Sequence, residues 1–128
     1  LVPIFIPVYE METTPIAATD WLMQHPDIKG PLWTDYSFGS YLDFAYQDIH
    51  PWMDSRFHDF PPEQWVEYIQ VGNAENWQAV FDRESINLLM LSIAAQPKLV
   101  EAVSVSEIWC EEYRDEYAVI FSRCEAKP

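Results

Sequence analysis

Glycine is scarce in this chain, three in 128 residues. Gly30, Gly39 and Gly72 stand too far apart to build a phosphate cradle or a dinucleotide fingerprint, which excludes nucleotide binding by those routes. Basic residues are also few. Seven Lys and Arg face twenty-one Asp and Glu, a formal net charge of −14. Such a field repels a phosphate backbone or an anionic membrane surface, so nucleic acid is not an expected partner. Neutral sugars, cations and basic proteins remain. No Gly-x-Ser-x-Gly elbow occurs, and Phe38-Gly39-Ser40-Tyr41 carries one glycine. Long apolar runs are missing too. The first eight residues, Leu1-Val2-Pro3-Ile4-Phe5-Ile6-Pro7-Val8, are apolar but interrupted by two prolines. A bilayer span takes about twenty residues. A secretion signal would need a basic leader and a small-residue cleavage site, and neither is there. Residues 1–10 therefore read as a first strand or extended arm, or as the cut end of something larger, and the chain as a domain excised from a longer protein.

Cys110 and Cys124 are the only cysteines. A hairpin turning about Arg114-Asp115 would set Cys110 beside Val119 and leave Cys124 roughly 16 Å further along at strand rise. A disulfide needs Cα atoms within about 7 Å, so two free thiols are expected.

What is abundant is apolar and aromatic sequence. Half the residues are hydrophobic (49%) and aromatics reach 16%, which argues against disorder and for one compact domain over residues 1–128. Thr14-Pro15 reads as a helix start, with Ile16, Ala17, Trp21 and Leu22 on one face and His25-Pro26 as the stop. Leu32 to Asp35 reads as a strand, Phe38 to Tyr46 as a short helix and Ile49 to Asp54 as a second strand. Pro62-Glu63 opens a helix ending at Gly72, and Asn76 caps another. Ile86 to Leu91 is nearly continuous apolar sequence, the mark of a strand buried on both faces. Pro97 opens a further helix, and Ile108 to Tyr113 with Glu116 to Arg123 form a closing hairpin. Strands alternating with helices predict an α/β fold: a small three-layer, mostly parallel sheet with helices on both faces and a C-terminal antiparallel hairpin.

Two expected strands each end on an aspartate, Asp35 and Asp54, with Arg56 close behind the second. In an open α/β sheet this rim is where ligands bind. Two carboxylates there could do acid–base work, bind a metal or hydrogen-bond sugar hydroxyls. Arg56 would lower their pKa values and favour a static ion pair, which weakens the acid–base case. His50, Asp54, His58 and Asp59 offer metal-ligand types, but at no spacing characteristic of a zinc or calcium site, so neither a metal nor another cofactor is expected. Trp33, Tyr36, Tyr41, Trp52 and Phe57 surround the aspartates in sequence. Rings beside acids and amides hold sugars by stacking and hydroxyl hydrogen bonds. In a domain this small, however, Trp33 and Trp52, like Trp21, Trp65, Trp77 and Trp109, fit a core role better.

The series Asp35-Tyr36-x-Phe38-Gly39-Ser40-Tyr41-Leu42, then Met53-Asp54-Ser55-Arg56, resembles a pattern in the soluble tails of C-type membrane glycosyltransferases, polytopic proteins that use lipid-linked sugars. Trp109, Tyr113-Arg114-Asp115 and Ala118 to Arg123 match the way such tails close. The similarity extends from Pro15 to Arg123, and departs from the pattern where Phe38 and Ser40 flank a single glycine. In that family the catalytic aspartate lies among membrane helices absent from this chain. The resemblance thus implies a non-catalytic domain on the extracytoplasmic face of the membrane, resting against the transmembrane region of its own parent. Its possible ligands are glycan or lipid-linked sugar, and its site residues Asp35, Tyr36, Tyr41, Asp54 and Arg56. Two other readings stand beside it. One is a structural or interaction domain in which Asp35, Asp54 and Arg56 form a static polar network. The other is a small freestanding hydrolase using Asp35 and Asp54.

Overall fold

The computed structural model describes residues 14–49, 51–52 and 60–124. Five helices and four strands lie along them. In chain order they are α1 (Ile16–Met23), β1 (Leu32–Thr34), α2 (Tyr36–Ala45), α3 (Pro62–Gly72), α4 (Trp77–Arg83), β2 (Leu88–Ser92), α5 (Pro97–Ser104), β3 (Trp109–Arg114) and β4 (Ala118–Arg123). Proline opens α3 and α5, where its missing N–H costs no hydrogen bond. The expected caps at Thr14 and Asn76 make no side-chain bond. Pro15 occupies the cap position of α1, and Asn76 adopts a left-handed backbone before α4.

The sheet order is β1-β2-β4-β3. β1 and β2 are parallel, while β2–β4 and β4–β3 are antiparallel. Among the described strands the sheet is therefore mixed, where the alternation of elements had pointed to a mostly parallel one. Of the strand expected over 49–54, the described part makes one parallel bridge, Pro51 to Leu32, with Trp52 N–H donating to Leu32 O at 2.8 Å.

Side chains alternate along β2 and β4 and feed two clusters. Leu88, Met90, Ala118 and Ile120 pack with Ala18, Leu22, Phe38 and Leu42 of α1 and α2. Leu89, Leu91, Val119 and Phe121 pack with Val71, Phe81, Leu99 and Val103 of α3, α4 and α5. Every residue of β2 is buried, as its unbroken apolar sequence requires. Each such side chain contributes about 1.5–3 kcal/mol on leaving water. Trp33 and Trp109 belong to the second cluster, against which Trp52, Trp65 and Trp77 pack half-buried.

The hairpin corrects the expectation of two free thiols, because Cys110 and Cys124 form a disulfide with their Cα atoms 5.1 Å apart. Two features shift the register. Asp115 Oδ1 accepts from Tyr117 N and Ala118 N, at 2.7 and 2.9 Å, and this side-chain turn moves the reversal to residues 115–118. A bulge between Glu111 and Tyr113 then adds one residue to β3. Cys110 accordingly lies opposite Ser122, not Val119, and Cys124 N donates to Ile108 O at 2.7 Å. Among the described residues no helix is long and apolar enough to cross a membrane.

Candidate functional site

β1 has a parallel neighbour on either side: the bridge at Pro51 and strand β2. The chain leaves β1 through α2 toward Pro51 and arrives at β2 through α3 and α4. The carboxyl end of β1 is thus a switch point, the crevice where open α/β sheets bind ligands. Asp35 is the first residue past that end, and a cavity of about 250 Å³ opens there. Its lining includes Asp35, Tyr36, Tyr68, Gly72, Asn73 and Gln96.

Asp35 is 4% exposed and caps α2. Its Oδ1 accepts from Ser37 N at 2.9 Å, from Phe38 N at 3.3 Å and from the Ser37 hydroxyl. These bonds satisfy helix N–H groups that would otherwise be orphaned, so this oxygen is committed to the fold. Tyr36 begins the helix, 38% exposed, with its ring edge-on to Trp65 and Tyr68 at 5.6 and 6.0 Å. Its backbone N–H donates to the Tyr68 hydroxyl at 3.0 Å. Burial, and then the neighbouring Asp35 charge, push the Tyr68 phenol well above the ordinary tyrosine value. It stays protonated and neutral across the physiological range.

Gln96 closes the cavity from the far side. It is 3% exposed, and its Oε1 accepts from Ser92 N at 3.2 Å. Its Nε2 makes one long contact, 3.5 Å to the Tyr68 hydroxyl. A primary amide carries two donors there, so a buried N–H remains for whatever enters the cavity. Gly72 lies alongside: a Cβ placed on it would meet Gln96 Cγ at 3.8 Å and Nε2 at 3.9 Å, ordinary contact that would narrow the space.

The site is therefore one of rings, amides and a capped carboxylate. It suits a neutral polyhydroxylated ligand, which takes hydrogen bonds from amides and stacks on the partly exposed Tyr36 ring, while Tyr68 is buried with its ring stacked on Trp33. Of the residues expected from sequence, Asp35 and Tyr36 meet here. Tyr41 does not line the cavity. It sits half-buried further along α2, where burial and then Asp20 of α1 raise its phenol. Asp54, Arg56, His50, His58 and Asp59 lie outside the described residues. Among those described, no group of three His, Cys, Asp or Glu could hold a metal ion.

Tyr68, Asn73, Ser92 and Gln96 were not singled out from sequence. For Ser92 and Gln96 a signal did exist. Ser92 ends and Gln96 follows the most strongly apolar strand, whose carboxyl end is a place to look for polar side chains. Tyr68 lay in an apolar helical stripe and gave none. Comparison with protein-family models, characterised proteins and solved structures returns no match for this chain.

Proposed function

We propose that this chain is the extracytoplasmic accessory domain of a glycosyltransferase-like polytopic membrane protein. It is non-catalytic itself, tethered through a transmembrane region outside this sequence, and holds glycan or the acceptor in the cleft beside Asp35. Helices on both faces of the sheet, in three layers, carry that cleft. The observation that carries the reading is the buried Gln96 amide with an unused donor, facing a cavity walled by Tyr36 and Tyr68. The Cys110–Cys124 disulfide supports the location, since such bonds persist mainly in oxidising compartments. The commitment of Asp35 Oδ1 to capping α2 argues against the hydrolase reading, because a carboxylate holding helix N–H groups is a poor proton shuttle.

The same capping bonds favour, as a second reading, a static polar network in which the cleft is structure and nothing more. Amide-resolved NMR titration of the chain with neutral oligosaccharides separates the two. Glycan binding predicts shifts at Tyr36, Asn73 and Gln96 that Gly72→Ala diminishes without loss of fold. Unchanged spectra with every oligosaccharide would leave the static network standing.

A further inference from the structure

A second cavity, of about 230 Å³, lies on the other side of Asp35. Asp35 and Ala95 wall both, so the two adjoin across the carboxyl ends of β1 and β2. Each alone falls below the range of about 300–1,000 Å³ usual for ligand pockets, and a ligand reaching both would cross Asp35 and Ala95. Their linings differ. The Gln96 side carries rings and amides. The far side has the hydroxyls of Ser37 and Ser92, the Glu116 carboxylate and the Tyr117 ring. Glu116 is exposed, with no hydrogen bond or ion pair among the described residues, and Tyr117 beside it is 40% exposed. The turn fixes the Tyr117 backbone: Asp115 accepts from Tyr117 N, and Tyr117 O accepts from Ile93 N at 3.0 Å.

A solvent-facing carboxylate next to an aromatic ring is a pair that recognises ammonium groups, through charge and through the ring's negative face. The chain's net charge of −14 raises the local concentration of cations around it. We propose that the cleft takes an amino-sugar glycan at least two residues long. One ring lies against Tyr36, Tyr68 and the Gln96 amide; the next crosses Asp35 and Ala95 and sets its free ammonium between Glu116 and Tyr117. This rests on the glycan reading of the same cleft and adds the class of sugar.

The test is calorimetric titration of the 128-residue chain below neutral pH with a glucosamine disaccharide and, separately, its N-acetylated counterpart. The expected result is about tenfold tighter binding of the free amine. Glu116→Gln, an exposed and nearly isosteric change, should erase that preference. Gly72→Ala should weaken both sugars alike. Equal affinities for the two in the unaltered chain would overturn the ammonium site and leave the glycan reading intact. Binding of neither would overturn both. A preference that survives in Glu116→Gln would remove Glu116 from the site and overturn the assignment.

Discussion

At the β3–β4 hairpin the chain is closed covalently, and the turn amides and the Tyr113 hydroxyl find their partner a few residues away at Asp115. Cys110 is bonded to Cys124, Asp115 holds the turn amides, and the Tyr113 hydroxyl donates to Asp115 Oδ2 at 2.5 Å. At the carboxyl ends of β1 and β2 the partners come from far apart in the chain. Tyr68 meets Tyr36 across 32 positions and Gln96 across 28, and the last contact is stretched to 3.5 Å. The bonds that close the hairpin are local, which makes it a brace. The cleft is assembled over long range and keeps a donor in reserve, which is what a binding site requires.

Breaking the brace should have the largest effect. Replacing both Cys110 and Cys124 by serine opens a loop of 14 residues in sequence separation, which should cost about 3 kcal/mol. A urea titration would read this as a lowered midpoint, with ligand response at Tyr36 and Gln96 retained in the folded fraction. Loss of that response would show that the hairpin also shapes the cleft. Tyr68→Phe attacks the other region. It strips the acceptor from the Tyr36 N–H and the partner from Gln96 Nε2, so a loss of about 1–2 kcal/mol is expected together with loss of glycan binding. Asp35→Ala should cost about 1 kcal/mol by removing the cap of α2. Hydrogen exchange at Ser37 and Phe38 should accelerate, and Asp35→Asn should restore most of the protection.

Alkaline titration sharpens the comparison further. Burial, then the bond to Asp115, push the Tyr113 phenol up to about 12. A raised folded-state value means the fold favours the protonated ring. Its contribution is fully present below the unfolded tyrosine value of about 10 and is lost as pH rises toward 12. Tyr113 is partly exposed, so the effect on stability is modest. Tyr68 is shifted further in the same direction. Phenolate absorbance should show Tyr113 ionising in the folded chain and Tyr68 only as the cleft opens. The smallest effect belongs to the exposed pair of Arg83 with Glu67 on α4 and α3. Arg83 holds the Glu67 carboxyl below its usual range, yet Arg83→Met should change the unfolding free energy from a urea titration by less than about 1 kcal/mol.

Much of the fold could be read along the chain because its signals are local. Pro62, Pro97 and Gly72 mark helix ends, and the apolar run through Leu88–Leu91 marks the central strand. The hairpin was legible as a hairpin, but its register was not. Asp115 turning back on its own amides and one bulged residue move Cys110 from Val119 to Ser122, and that decides whether a disulfide forms. At the site, Asp35 and Tyr36 were legible because they end a strand and begin a helix. Gln96 carries no periodic signature, and Tyr68 looks like any inward ring on an apolar stripe.

The amino-acid sequence alone determined the helix and strand identities, the acidic field and the placement of Asp35 at the end of β1. Those follow from side-chain volume, backbone preference and charge, which each residue carries with it. Tertiary structure decided the sheet order, the pairing of the cysteines and the meeting of Tyr36, Tyr68 and Gln96. Such contacts depend on register and packing between segments dozens of residues apart. A single shifted position there changes which side chains meet while leaving every local preference as it was.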